Sequence, residues 1–175
     1  MIVGIDGGLG AGKTALMTSF LHEDMRKGFD VRANYGLNFK HKPFNVLELL
    51  ENKPNLKDIS IGIDEITVFM DCRRSTSKMN TLISYFILQS RKRNVTLYYT
   101  TQDFNMVDLR LVNHTHIQIN CNKIFSENGE EINDIRKIVV IDCRNPHDIK
   151  SNVLYADISS IYNFYDTDEI ILPPI

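Results

Sequence analysis

Eight residues near the start of the chain, Gly7-Gly-Leu-Gly-Ala-Gly-Lys13-Thr14, fit G-x-x-x-x-G-K-[ST] in full. They follow a short apolar run and open a helix-forming one, the context the pattern requires. Each residue type has a task. Glycines let the backbone turn sharply and aim its N–H groups at phosphate oxygens, and the helix start adds positive potential. Gly8, Leu9, Gly10, Ala11 and Gly12 would cradle the phosphates, and Lys13 would reach the β- and γ-phosphates. The Thr14 hydroxyl would ligate Mg²⁺. The expected ligand is a nucleoside triphosphate, ATP, with magnesium. The bland alternative is a glycine-rich turn before a helix. Asp6, an acid just ahead of this loop, has no explanation in the sequence.

A second group of polar residues ends the apolar run Ile59-Ser-Ile-Gly-Ile63 with Asp64-Glu65. Beside a phosphate loop, Asp64 would hold the Mg²⁺ shell and Glu65 would polarise an attacking water as general base. A solvated turn after a strand would also favour acids. A third run, Val95-Thr-Leu-Tyr-Tyr-Thr-Thr-Gln102, ends in polar residues as well. In parallel sheets the C-terminal strand ends converge on the ligand, so Gln102 would contact the γ-phosphate or the water; otherwise it is a polar loop residue. Arg91-Lys-Arg93 closes the segment before that strand. It is either favourable charge at a helix C-terminus or an arginine donated to a neighbouring subunit's ATP.

The elements that must hold these groups follow from periodicity. Residues 1–6 read as a buried strand. Lys13 to Lys27 reads as a helix with Leu16, Met17, Phe20, Leu21 and Met25 on one face, ended by Gly28. Val31–Asn34 is a weak strand, Lys40–Pro43 a basic loop and Val46–Glu51 a helical turn. Ile59–Asp64 is a strong strand, Asp71–Asn80 a polar loop, Thr81–Arg93 a helix and Val95–Thr100 a strand. Residues 103–112 give a short helix or turn, and Thr115–Cys121 a strand. Asn122–Asp134 is turn-like around a hairpin tip at Glu127–Glu130, and Ile135–Cys143 returns as a strand. The last thirty residues hold several aromatics. Alternating strands and helices followed by a hairpin predict an α/β fold with a mainly parallel central sheet.

Length and charge bound the rest. With 175 residues the expectation is one domain, a core over about 1–121 with the hairpin and tail over about 122–175. The formal net charge is -2, so contact with nucleic acid would need a local basic patch. Arg73, Arg74 and Lys78 offer one, unless they are a solvated loop. Cys72, Cys121 and Cys143 share no metal-ligand spacing, which argues against a zinc site or a disulfide framework; Cys121 and Cys143 are expected in the core. No apolar run reaches membrane-spanning length and the start is not a signal peptide, so a soluble protein, cytoplasmic unless carried by a partner, is expected.

In this order, the phosphate loop, Asp64-Glu65 and the strand ending Thr100-Thr-Gln102 resemble the HerA–FtsK superfamily of P-loop ATPases. The resemblance covers about residues 1–120. It implies a RecA-like fold of the additional strand catalytic glutamate type, and a trans-acting arginine at the spacing of Arg91. Two groups within it are most similar. One is the genome-packaging ATPases of membrane-containing double jelly-roll viruses, including archaeal ones; the other is the Zot-like morphogenesis ATPases of filamentous phages. Both share a polar loop like Asp71-Cys-Arg-Arg-Ser75, a region like Asp108-Leu-Arg110 and a Tyr-Asp-Thr like Tyr165-Asp166-Thr167. Zot-like proteins usually add a membrane segment and an outer domain; neither is seen in these residues, which favours packaging. The implied activity is ATP hydrolysis driving double-stranded DNA through a homo-oligomeric ring, with capsid or membrane-vertex proteins as further partners. Alternatives are a Zot-like assembly or secretion ATPase, a small-molecule P-loop kinase, which has no use for the Asp-Glu pair, and a nucleotide-binding structural protein without turnover.

Overall fold

The computed structural model describes residues 1–44, 57–70, 87 and 91–167, with the side chain of Arg91 excepted. The elements expected at 46–51, 71–80 and most of 81–93 lie outside these residues, as do Cys72, Arg73, Arg74 and Lys78. The chain runs β1 (Ile2–Asp6), α1 (Lys13–Arg26), β2 (Asp30–Ala33), β3 (Lys42–Pro43), β4 (Ile59–Ile63), β5 (Val95–Thr101), α2 (Leu109–Val112), β6 (Ile117–Phe125), β7 (Glu131–Asp142) and β8 (Lys150–Asp157). Short 3₁₀ turns cover Ile66–Val68, Arg91–Arg93, Phe104–Met106 and Ser159–Phe164.

The strands form one sheet in the order β3-β2-β4-β5-β1-β6-β7-β8. β3 through β6 in that order are parallel, and β7 and β8 are antiparallel additions. β1 and β4 are therefore not neighbours: β5 lies between them. Strand β5 is buried at six of its seven positions, as a strand covered on both faces must be. Residues alternate between two cores. Val3, Ile5, Val31, Ala33, Ile119 and Cys121 pack with α1 residues Ala15, Met17 and Leu21 on one face. Ile2, Ile61, Ile63, Leu97 and Tyr99 pack with Ile66, Met70, Val107 and Leu111 on the other.

Four expectations need correction. The Asn122–Asp134 turn is mostly strand: β6 continues to Phe125 and β7 begins at Glu131, leaving a tip at 126–130 closed by Ser126 N–H to Glu130 O at 2.8 Å. Asn and Lys have poor strand propensity, and cross-strand pairing overrides it here. The final segment contains a full strand, β8, exposed at nearly every position, so it has no apolar period to detect. In the Lys40–Pro43 loop, Lys42 and Pro43 pair with Arg32 and Ala33. Cys121 is buried as expected, whereas Cys143 is only half-buried.

Candidate nucleotide site

The phosphate loop joins β1 to α1. Gly7 has φ +148° and a Cβ there would stand 2.3 Å from the Cys121 carbonyl oxygen, so only glycine fits. Gly12, at φ +88°, turns the chain into α1. Lys13 is 8% exposed and its Nζ donates to Gly8 O at 3.1 Å, folding back across the loop.

Asp64 follows β4 and meets α1 at Thr14, whose hydroxyl donates to Oδ1 and Oδ2 at 3.1 and 3.2 Å. Thr100, near the end of β5, donates to Asp64 Oδ1 at 2.5 Å and accepts from Glu65 N–H at 2.9 Å. Asn34, just past β2, closes both sides of the Asp64 backbone: it accepts from Asp64 N–H at 2.7 Å and donates to Asp64 O at 3.1 Å. Three neighbouring strand ends and the start of α1 thus fix one residue, Thr14 and Thr100 by its carboxylate and Asn34 by its backbone. Burial pushes the Asp64 carboxyl above its ordinary range, opposed by the Thr100 and Thr14 hydroxyls, raised by Glu65 and lowered by Lys13. A buried carboxylate beside a hydroxyl is a pair of oxygens suited to a hard dication. No cluster of three or more His, Cys, Asp or Glu exists among the described residues. Magnesium fits that arrangement, since it is commonly held by one or two carboxylates with substrate phosphates.

Glu65 has left-handed backbone at φ +51°, a conformation that costs a non-glycine residue of order 1–3 kcal/mol. Its amide is anchored on Thr100, and Thr67 Oγ1 donates to Oε1 at 2.7 Å. One carboxylate oxygen is thereby held. Gln102 follows Thr101, which pairs with Asp6 in register, so it stands exposed at the loop end of the sheet. Arg91 does not join this group. Its backbone begins the turn before Val95, at the opposite end of β5. Seven strand residues span about 20 Å, beyond the reach of one arginine.

Asp6 acquires an explanation. Asn122 donates to Asn120, and Asn120 Nδ2 donates to Asp6 Oδ1 at 2.9 Å. Burial nonetheless raises the Asp6 carboxyl, with Asn120 opposing.

A second wall of the site comes from the segment after β8 and from Tyr35. A cavity of about 280 Å³ is lined by Gly10–Thr14 and Asp64 on one side and Tyr35, Tyr162, Tyr165, Asp166 and Thr167 on the other. The Ser159–Phe164 turn lies along α1, with Phe164 stacked on His22 at 4.3 Å. Leu37 bridges Tyr165, whose phenol is pushed up to about 12 by burial, with Tyr162 and Asp64 adding to it. The Tyr165-Asp166-Thr167 signature was visible; its place at the loop was not.

No protein-family model matches the chain, and no curated protein does. Solved structures do. The N-terminal domain of zonular occludens toxin from Neisseria meningitidis is similar at 19% identity and TM-score 0.68, over 94% of this chain and 98% of that one. The genome packaging NTPase of Sulfolobus turreted icosahedral virus 2, in complex with ATP-γS, is similar at 10% identity and TM-score 0.57, over 86% and 96%. This is a RecA-like P-loop NTPase fold. The P-loop fold explains the sheet order, because β5 is the strand that separates the phosphate-loop strand from the Asp64-Glu65 strand. The DNA-packaging ATPase from Sulfolobus turreted icosahedral virus shares it at 13% identity and TM-score 0.57, over 86% and 96%. No helix of the described residues is long and apolar enough to cross a membrane.

Proposed function

We propose that this chain is a magnesium-dependent ATPase that acts as one subunit of a homo-oligomeric ring and drives double-stranded DNA, packaging a viral genome. The observation that carries the reading is the chain Thr14–Asp64–Thr100–Glu65, which joins the phosphate loop, a metal-suited carboxylate and an anchored glutamate within successive hydrogen bonds. The amides of Gly8–Gly12 and Lys13 bind the phosphates. Thr14 and Asp64 would hold Mg²⁺, which draws charge from the phosphate oxygens when bound. Thr67 occupies Glu65 Oε1, leaving the other oxygen to take a proton from the attacking water. Gln102, at the strand end, orients that water. Arg91 acts in trans, on the neighbouring subunit's nucleotide, consistent with its backbone at the far end of β5. The basic loop Arg73, Arg74 and Lys78 meets the DNA backbone. The ring works in the host cytoplasm or in the virion, docked to capsid or membrane-vertex proteins.

A Zot-like virion assembly or secretion ATPase is the second reading, favoured by the higher TM-score and near-complete overlap with the zonular occludens toxin domain. One assay separates them. ATP turnover is measured as inorganic phosphate release, with and without double-stranded DNA, over a series of salt concentrations. The packaging reading expects stimulation by DNA without sequence preference, fading as salt rises because counterions are released on binding. Turnover indifferent to DNA at every salt concentration refutes the translocase and leaves the assembly ATPase.

A further inference from the structure

Two cations and an acid from the antiparallel part of the sheet stand against the phosphate loop. Lys123 on β6 and Arg136 on β7 face each other in register. They extend the face that carries Cys121 and Ile138, the face packed with α1. A Cβ on Gly10 would lie 3.2 Å from Lys123 Nζ, and one on Gly12 would lie 3.3 Å from Arg136 Cγ and 3.5 Å from its Nε. Arg136 Nη2 donates to the Gly10 carbonyl at 3.4 Å. Glu131 accepts both cations, Lys123 at 2.9 Å and Arg136 at 3.4 Å. Glu131 and Arg136 lie an odd number of residues apart, so regular alternation would send them to opposite faces. An irregularity in the β6–β7 register, with Asp134 at φ +64°, brings them together.

The Arg136 side chain is 7% exposed. Its Nη1 donates to Ile135 O at 3.1 Å, but its Nε–H is buried with no acceptor among the described residues. A buried guanidinium kept for packing alone would have its donors satisfied. Two cations sharing one acid leave a positive excess beside a loop built to receive an anion. The bond to Gly10 O also ties the middle of the loop to β7.

We infer that Arg136 is a positioning residue of the nucleotide site: from β7, in the same subunit, it holds Gly10–Gly12 in the phosphate-receiving conformation and supplies part of the field that attracts the polyphosphate, with Glu131 tempering it. This role rests on the nucleotide-binding function proposed for the loop. The test compares the wild type with Arg136→Met and Glu131→Gln by thermal unfolding without nucleotide and by calorimetric titration with Mg·ATP. Methionine keeps the stem and removes the charge. Glu131 keeps Lys123 as a partner in Arg136→Met, so the melting temperature should change little, while ATP affinity falls by ~10- to 100-fold, the range for a lost charged hydrogen bond. In turnover the change should appear in KM with kcat nearly constant. Glu131→Gln, which removes the opposing charge from a partly exposed position, should bind ATP several-fold more tightly. A lower melting temperature with unchanged ATP affinity in Arg136→Met makes the arginine structural and overturns the inference. So does a Glu131→Gln protein that binds ATP no better than the wild type, and this second variant decides if Arg136→Met does not fold. Wild-type protein that binds no ATP refutes the nucleotide reading itself, a separate outcome read from the first titration.

Discussion

Thr100→Val removes one hydroxyl and almost no volume, at a position where that hydroxyl has two partners. Thr100 is fully buried. Its hydroxyl donates to the Asp64 carboxylate and accepts from Glu65 N–H. A hydrogen bond to a charged group is worth about 1.5–3 kcal/mol, and a buried N–H left without an acceptor costs about 1–3 kcal/mol. Allowing for overlap, the loss is about 2–4 kcal/mol, which at this chain length lowers Tm by roughly 5–15 °C. The loss depends on pH. Burial holds the Asp64 carboxyl above its ordinary value, so the folded state keeps its proton more tightly than the unfolded state. The stability from this group is therefore fullest in acid and falls as pH rises through that window. The Thr100 hydroxyl opposes the shift, so it matters most where Asp64 is ionised. The deficit of the variant should grow as pH rises, by about 1 kcal/mol in all, the difference between a charged and a neutral acceptor. Urea unfolding of both proteins over a pH series, without nucleotide or metal, measures it. A deficit that is absent, constant or larger in acid refutes the reasoning.

Lys13→Ala should abolish measurable ATP binding in calorimetry, because it deletes the charge-assisted contact to the phosphates; unchanged binding would reject the site. Glu65→Gln should still bind Mg·ATP while single-turnover hydrolysis falls by ~10²–10⁴; lost binding with retained turnover would make Glu65 a ligand instead of a base. Arg91→Ala subunits mixed with Lys13→Ala subunits, each inactive alone, should regain some turnover through shared sites. No rescue in a mixture proven to co-assemble removes Arg91 from the chemistry.

The parts of this protein that were legible in the sequence are those where backbone geometry dictates residue type. Gly7 and Gly12 are demanded by a turn no side chain tolerates, and Asp64-Glu65 closes a strand with the five consecutive apolar or small residues a doubly covered strand requires. β8 was illegible because it is exposed along both faces and has no alternation to read. Asn34, Lys123, Arg136 and Tyr162 were missed for another reason. Each reaches the site only through strand order or a turn laid along α1, and nothing local in the sequence says that β2 adjoins β4 or that β7 adjoins the loop. Asp6 is the intermediate case: its strangeness was plain, but its partner Asn120 lies 114 positions away. The side chain of Arg91 and the basic loop at 71–80 lie outside the described residues.

The strand that carries the phosphate loop is completed only by strands made long after it. β1 pairs with β5 through Ile2 and Leu97 and with β6 through Val3 and Ile117, and the terminal ammonium donates to Val95 O at 2.8 Å. The emerging chain therefore cannot close β1 on either side until residues beyond 95 and then 117 have left the ribosome. β6, β7 and β8, by contrast, form a meander whose partners are neighbours in sequence, the kind of local pairing that forms fast. β1 and α1, with an unpaired strand and an apolar helix face, wait exposed during that interval, which is when such surfaces aggregate. β5 and β6 bring the order that lets β1 settle, so competence to bind nucleotide waits on strands made more than ninety residues after the strand that carries the loop.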